Sequence, residues 1–181
     1  MHFSKWNLTG LELLSIPYAT LYPKEFAMLA AMNWTNLQKL ELCNSMLILD
    51  GGKLDNGPLE QFIRIKLPNL KKFKASDIEL TDQQVALLAE LELPSLETLI
   101  MISNSLTSAN AKLLLRNKPK LKWITLVDNR LDSFEFLEEV PDDVEVLDLG
   151  TNMLRGDEHI HHFSRFKKLT GLSLYSNDIE D

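Results

Sequence analysis

The segment LKWITLVDNRL, residues 121–131, carries the pattern that decides the fold. Apolar residues stand at its first, fourth, sixth and eleventh positions, and Asn129 stands at its ninth. Alternation across positions four to six predicts a short β-strand that turns one face inward. Trp123 lies at the third position of this strand. The segment therefore raises the question of whether Trp123 fills the core or faces a binding partner.

The same eleven-residue template recurs along nearly the whole chain of 181 residues. Full matches are LETLIMISNSL (96–106, with methionine sixth), VEVLDLGTNML (144–154) and LTGLSLYSNDI (169–179). Looser copies begin at residues 8, 37 and 70. We therefore predict one array over residues 1–181, with repeats that start near residues 8, 37, 70, 96, 121, 144 and 169.

These residues resemble the leucine-rich repeat family, whose hallmark is L-x-x-L-x-L-x-x-N-x-L. The resemblance implies an α/β fold: a right-handed, horseshoe-shaped solenoid of about seven repeats, with a concave parallel β-sheet and helices on the convex side. The longer units resemble the intracellular ribonuclease inhibitor and Ran GTPase-activating branch. The shorter units resemble other intracellular classes of the family.

Local signals support this organisation. Ninth-position asparagines occur in the last four repeats, where an amide can satisfy backbone groups on both sides of a turn. The first three repeats place Ile16, Ser45 and Ile78 there, which predicts less regular turns. Between templates, helices are expected after Thr81 and after Thr107 or Ser108, since these residues suit N-caps. A helix is also expected in residues 156–166, and a single turn or 3₁₀ segment in residues 132–141.

Composition bounds the partners and the compartment. The net charge of −7, from 19 basic and 26 acidic side chains, argues against nucleic acid or an anionic membrane as a partner. The sequence has no apolar stretch of membrane-spanning length and no signal-like N-terminus. Cys43 is the single cysteine, so an intrachain disulfide is excluded and a reducing compartment is favoured. We expect a cytoplasmic protein.

Both ends of the array carry expectations. Residues 1–7, with Phe3 and Trp6, are expected to shield the first repeat. The sequence shows no cap after the seventh template, although end repeats otherwise expose apolar side chains and a strand edge. An array cut from a larger protein, an end covered by a partner, and end-to-end self-association are the alternatives.

The strand periodicity assigns outward positions three, five and seven to the concave face, with positions two and eight at its margins. In repeat one the outward positions are Gly10, Glu12 and Leu14. A partner-binding patch with aromatic anchors is predicted on repeats four to seven, formed by Ile100, Ile102, Trp123, Val127, Asp128, Val146, Asp148 and Tyr175. The alternative is that these side chains only pair along the sheet.

A secondary basic patch is predicted from four lysines on repeats two and three. Acidic neighbours such as Glu41 and Asp77 dilute its charge, so a solvated stripe is the favoured interpretation. The patch comprises Lys39, Lys71, Lys72 and Lys74.

One segment concentrates side chains that bind metals. GDEHIHHFSR, residues 156–165, contains Asp157, Glu158, His159, His161 and His162, and helical spacing brings His159 and His162 to one face. The ligand order of metalloproteases is absent, so a solvated polar face is the favoured interpretation. No metal site, cofactor or catalytic residue is assigned, and the chain is expected not to be an enzyme.

The sequence predicts a protein–protein interaction module that binds a protein or peptide on its concave face. One alternative is the substrate-recognition region of a larger enzyme, such as a ubiquitin ligase or a bacterial effector. A second alternative is a GTPase activator that resembles the Ran branch, for which Arg130 and Arg155 are the candidate residues. A third is a structural spacer.

Overall fold

The computed structural model describes residues 8–18, 20–21, 23–44, 46–47, 63–156 and 158–179. Seven strands form one open sheet in which each strand pairs in parallel with the strand of the next repeat. A separate parallel pair joins Thr20–Leu21 (β2) to Met46–Leu47 (β4). The seven strands are Leu13–Ser15 (β1), Lys39–Cys43 (β3), Lys72–Ser76 (β5), Thr98–Ile100 (β6), Trp123–Thr125 (β7), Val146–Asp148 (β8) and Gly171–Ser173 (β9).

The strands are short because each repeat provides only one buried face to the core. At the fourth and sixth template positions, Ile124 and Leu126 are fully buried, as are Leu147 and Leu149 one repeat later. Burial of this apolar surface, at roughly 25 cal/mol per Å², is possible only when repeats stack. The α/β leucine-rich-repeat solenoid of about seven repeats predicted from the sequence is confirmed.

The predicted start of repeat one is wrong by three residues. Leu13 pairs with Lys39, a third-position residue, so Leu11 is the first position of repeat one instead of Leu8. The Leu11 N–H donates to the Leu8 carbonyl at 2.9 Å, and first-position residues in the other six repeats donate to the carbonyl three residues before them.

Competing leucines explain this error. LTGLELLSIPY has leucines at 8, 11, 13 and 14, so two registers satisfy the apolar spacing. The later register turns Leu14 and Ile16 toward the core and leaves Leu13 exposed. The outward positions of repeat one are therefore Leu13, Ser15 and Pro17.

A ladder of asparagine side chains ties the later repeats together. Asn129 Nδ2 donates to the carbonyls of Met101 (2.7 Å) and Leu126 (3.0 Å), while its Oδ1 accepts from the N–H groups of Asn104 (3.1 Å) and Leu106 (3.0 Å). Each such amide serves backbone groups of two consecutive repeats, whereas the sequence predicted bonds on the two sides of a single turn. Related bonds are made by Asn104, Asn152 and Asn177.

The turn after each strand keeps one backbone feature in all seven repeats. The eighth-position residue has a φ between 50° and 56°, a left-handed conformation that is uncommon for residues other than glycine. The less regular turns predicted for repeats one to three are therefore wrong at this position. The eighth-position residues are Tyr18, Asn44, Asp77, Ser103, Asp128, Thr151 and Ser176.

Helices return the chain on the side opposite the open sheet face. In the part of the chain that the structure describes, α-helices span Pro23–Ala30 (α1), Asp82–Ala89 (α2) and Ser108–Leu115 (α3). Thr81 and Thr107 are the N-caps of α2 and α3, and each forms a capping box with the residue three positions later. Within the described residues, 3₁₀-helices span Glu135–Glu139 (η1) and Glu158–Arg165 (η2).

Some predictions fall outside the described residues. The shielding role of Phe3 and Trp6 lies there, as do the ninth-position Ser45 and the candidate ligand Asp157.

Candidate protein-binding surface

Trp123 lies on the open face of the sheet and therefore does not fill the core. Its strand pairs place it between Thr98 and Val146, and 49% of its surface is exposed. The indole Nε1–H donates to Thr125 Oγ1 at 3.1 Å, so the ring lies along its own strand and covers the buried Thr125. Two observations therefore fix Trp123 as a surface residue with a defined orientation.

Tyr175 is the second exposed aromatic residue on repeats four to seven, with 55% of its surface exposed. Its ring lies directly over Gly150, where a Cβ atom would overlap the ring carbons. The absence of a side chain at Gly150 therefore creates the space in which the Tyr175 ring lies against the sheet.

Sequence reasoning missed Thr125 and Gly150 as supports of the two aromatic side chains. A signal was present in both cases. Thr125 is the next outward residue on the strand of Trp123, and Gly150 occupies the seventh position of the repeat before Tyr175.

Two aspartates border the aromatic residues. Ser103 Oγ donates to Asp128 Oδ2 at 2.7 Å, and both residues occupy left-handed eighth positions of adjacent repeats. Asp148 pairs in register with Thr125 and accepts a bond of 3.4 Å from the Gly150 N–H. Asp128 thus lies at the margin of the aromatic surface, and Asp148 lies on the strand between the repeats of the two aromatic residues. Either carboxylate can orient a polar group of a partner.

The remaining predicted patch residues are half-buried on the same face. Ile100 pairs with Thr125, and Val146 pairs with Trp123. Ile102 and Val127 occupy the seventh position of adjacent repeats, whose turns are joined by the Ser103 N–H bond to the Val127 carbonyl. The structure therefore brings all eight predicted residues onto one stretch of the sheet.

The basic residues of repeats two and three surround an acidic side chain. Lys39 pairs in register with Lys72, and Glu41 pairs with Lys74. Lys72 Nζ lies 2.8 Å from Glu41 Oε1, and this hydrogen bond lowers the pKa of Glu41 from its ordinary value. Lys71 precedes strand β5 at the second template position. Glu41 therefore offsets part of the positive charge of the patch.

A further exposed apolar pair lies at the other end of the sheet, where the sequence register was wrong. Leu13 and Tyr18 are exposed, and 81% of the Tyr18 surface is accessible. Sequence reasoning missed both, since it assigned Gly10, Glu12 and Leu14 to the outward positions. These two residues provide a comparison for the aromatic surface of repeats four to seven.

On the helical side, the structure brings together three residues with metal-ligating side chains. Ligand atoms of Glu138, His159 and His162 all lie within 4.8 Å of one another. Lys112 Nζ lies 2.7 Å from Glu138 Oε2, and His159 Nδ1 lies 3.5 Å from Glu138 Oε1. Desolvation lowers the pKa of His162, with a further contribution from the nearby charge of His161. The sequence had identified the two histidines but missed Glu138.

The GTPase-activator candidates lie on adjacent repeats. Arg130 follows Asn129 in the turn of repeat five, and its N–H donates to the Leu106 carbonyl. Arg155 lies one repeat later, with its guanidinium 3.8 Å from Asp178. Both residues are exposed.

Among the described helices, none has the length and apolar character to cross a bilayer.

Neither protein-family models nor curated proteins match the sequence. Solved structures resemble the fold. A chain of the octameric complex of Latrophilin 3 (Lec, Olf), Unc5D (Ig, Ig2, TSP1) and FLRT2 (LRR) is similar with a TM-score of 0.67 and 19% identity, over 94% of this chain and 47% of that chain. The protein thus spans about half of the length of that similar chain.

Two shorter structures give further likenesses. Internalin C2 of Listeria monocytogenes is similar with a TM-score of 0.55 and 17% identity, over 96% of this chain and 75% of that chain. The tropomodulin C-terminal domain of Caenorhabditis elegans gives a TM-score of 0.51 and 16% identity, over 81% of this chain and 89% of that chain. These likenesses concern the fold, and the protein has the leucine-rich-repeat solenoid fold.

Proposed function

We propose that the protein is a protein–protein interaction module that binds a partner protein or peptide on the concave, open face of its sheet. The observation that carries this proposal is the aromatic surface of repeats four to seven, defined by Trp123 and Tyr175 with the six aliphatic and acidic residues around them. Exposed tryptophan and tyrosine at the centre of an apolar patch with a polar margin are typical of interaction hot spots.

Preorganisation of the two aromatic side chains supports the proposal. The bond from Trp123 to Thr125 and the placement of Tyr175 over Gly150 hold both rings on the sheet before a partner arrives. Binding then loses little side-chain entropy, which otherwise opposes association by about 0.5–1.5 kcal/mol for each ordered side chain. One of the similar structures is a complex in which FLRT2, an LRR component, is present with two other proteins.

Affinity capture from an extract of the native source tests this function. The Trp123→Ala, Tyr175→Ala double variant should lose the captured partner, with binding weakened at least about thirtyfold, because the loss of even one hot-spot residue costs about 2 kcal/mol or more. The matched control is Leu13→Ala, Tyr18→Ala, which removes two exposed apolar side chains from the opposite end of the same sheet.

The control should capture the same partner as the wild type. Equal capture by all three proteins, with unchanged circular dichroism, would refute the concave-face proposal. Loss of capture in the control alone would move the binding site to repeat one.

A second copy of the chain is the alternative partner. Leu172 and Ile179 of repeat seven are 46% and 38% exposed, whereas Leu147 and Leu154 at the same template positions of repeat six are fully buried. End-to-end self-association would cover this apolar surface. It predicts a concentration-dependent dimer in sedimentation velocity that Leu172→Asp abolishes, and a monomer at all concentrations would exclude it.

Two further functions remain as proposals. In a larger enzyme, such as a ubiquitin ligase or a bacterial effector, the same concave face would select the substrate. A GTPase activator resembling the Ran branch would use the exposed Arg130 or Arg155 and would accelerate GTP hydrolysis by a candidate GTPase. Both functions fit a cytoplasmic location. We propose this location because the chain has a single cysteine. Fluorescence microscopy of the tagged protein in its native cell tests it.

A further inference from the structure

A cluster of metal-ligating side chains lies on the helical side of the solenoid, remote from the concave face. Glu138 belongs to the 3₁₀-helix η1 of repeat five, while His159 and His162 belong to η2 of repeat six. The ligand atoms of the three residues lie within 4.8 Å of one another. Two consecutive repeats therefore contribute to a single cluster.

The 3₁₀ form of η2 aligns the two histidines. In a 3₁₀-helix, side chains three residues apart lie directly above one another, because one turn contains three residues and rises by roughly 6 Å. The His159 and His162 rings follow this geometry: their centroids are 6.0 Å apart and their planes differ by 10°. An α-helix would instead rotate the second ring away from the first by a fraction of a turn.

The distances suit a tetrahedral ion. Zinc binds imidazole nitrogen and carboxylate oxygen at about 2.0–2.2 Å, so neighbouring ligand atoms in a tetrahedral site lie roughly 3.4 Å apart. His159 Nδ1 and Glu138 Oε1 are already 3.5 Å apart. The other separations, at most 4.8 Å, shorten to this value by small side-chain rotations.

The neighbouring cation leaves one carboxylate oxygen in the cluster. Lys112 Nζ contacts Glu138 Oε2 at 2.7 Å, whereas Oε1 faces His159. A metal bound through Oε1 alone is compatible with the ion pair to Lys112. The same ion pair fixes the orientation of the carboxylate, as outer-shell partners of metal ligands commonly do.

We propose that Glu138, His159 and His162 form a zinc-binding site that connects repeats five and six. Two imidazoles and one carboxylate are a known zinc ligand set, in which water or a group from a partner takes the fourth position. Magnesium and calcium prefer all-oxygen sites. From sequence, the histidine segment is interpreted as a solvated polar face because the ligand order of metalloproteases is absent. The contribution of Glu138 from the preceding repeat changes that conclusion.

Isothermal titration of the full chain with zinc chloride tests the site. We expect one zinc ion per chain with a Kd on the order of 1 µM, weaker than four-ligand structural sites. His159→Ala, His162→Ala and Glu138→Gln should each weaken binding at least about tenfold. Cobalt(II) should give the intense visible absorption of four-coordinate sites in the wild type and lose it in these variants.

Two controls separate a built site from loose surface binding. His161→Ala removes the neighbouring histidine, whose ring centroid lies 4.2 Å from that of His162, and should leave zinc affinity within about twofold. Lys112→Met breaks the same ion pair as Glu138→Gln but retains all three ligands, so it should still bind zinc. Thermal unfolding without metal shows that each variant is folded. Zinc should raise the unfolding temperature of the wild type more than that of any of the three ligand variants.

The proposal fails if no heat is measured at a zinc concentration of about 100 µM, a hundredfold above the expected Kd. It also fails if Glu138→Gln binds as tightly as the wild type, or if His161→Ala weakens binding as much as His159→Ala.

Discussion

At the scale of single residues, the asparagine amides hold the repeat junctions. The Asn129 side chain bonds carbonyl groups of its own repeat and of the previous one, and accepts bonds from two N–H groups of the turn before it. Buried backbone groups of this kind have no water to replace a lost partner. One side chain therefore determines whether several backbone groups at the junction are satisfied.

Asn129→Ala should lower the free energy of unfolding by about 3 kcal/mol or more, because each buried polar group left without a partner costs about 1–3 kcal/mol. Urea unfolding followed by circular dichroism measures the change. Asn36→Ala is the matched control: its exposed amide makes a single bond, to the Thr9 carbonyl, and its loss should change stability by less than about 1 kcal/mol. Equal losses in the two variants would contradict the role of the Asn129 amide.

The residue scale was the most predictable from sequence. Template position alone identified Asn129 as a turn residue and Trp123 as an outward one, because a repeat fixes each environment by spacing. Repeat one was misassigned where Leu8, Leu11, Leu13 and Leu14 allowed two registers. Pairing with the next strand, which the sequence does not encode locally, selected the later one.

At the scale of elements, cations from one repeat contact the helix end of the repeat before. Lys118 Nζ lies 3.5 Å from the carbonyl of Ala89, the last residue of α2. Arg165 donates to the Leu137 carbonyl of η1 at 2.8 Å. Positive charge at a helix C-terminus interacts favourably with the unpaired carbonyls there. These contacts join α2 and η1 to the repeats that follow them.

Lys118 should make stability depend on pH. It is only 5% exposed, and this desolvation lowers its pKa from 10.5 to about 8. The Lys118 amine therefore binds its proton more tightly in the unfolded chain than in the folded chain. Between pH 8 and 10.5 the stability of the wild type rises with pH. Below pH 8 the full cost of burying the charged amine is present.

Lys118→Met removes that burial of charge. The variant should be about 2 kcal/mol more stable than the wild type at pH 7. The pKa shift corresponds to about 3 kcal/mol, and the loss of the Lys118 donor at the Ala89 and Arg116 carbonyls offsets about 1 kcal/mol of it. The difference between the two proteins should shrink as pH rises toward 10.5. A constant difference in urea midpoint from pH 7 to 10 would show that the Lys118 amine is not desolvated.

Element type was only partly predictable. Thr81 was predicted as an N-cap, and Thr107 was one of two candidates, because capping residues have a local signature. The segment 156–166 was predicted as a helix without its type, and η2 is a 3₁₀-helix. The choice between helix types depends on how the segment packs against the preceding repeat, through contacts such as the edge-to-face pair of Phe134 and Phe163.

At the scale of the whole molecule, function arises from the stacking of repeats. The buried core includes residues from Leu29 to Phe166, and in the seven-stranded sheet each strand pairs with the strands of adjacent repeats. Side chains at equal template positions thus become adjacent on the surface. The aromatic surface could be predicted in this way, because its members share outward positions.

The zinc cluster could not be predicted from one segment, since Glu138 belongs to another repeat. Alignment of repeats five and six on Leu121 and Val144 places Glu138 between the positions of His159 and His162. That alignment, extended beyond the strands into the helical segments, is the signal that would have revealed the cluster.

Site-specific photocrosslinking tests the central claim, that the concave surface of repeats four to seven binds a partner. A benzoyl-phenylalanine placed at Tyr175 should form a covalent adduct with one defined protein in the native cell, because hot-spot residues lie at the centre of an interface. The same photoreactive residue at Tyr18, which is more exposed, should not form that adduct. Identical adducts from both positions, or adducts from Tyr18 alone, would contradict the account.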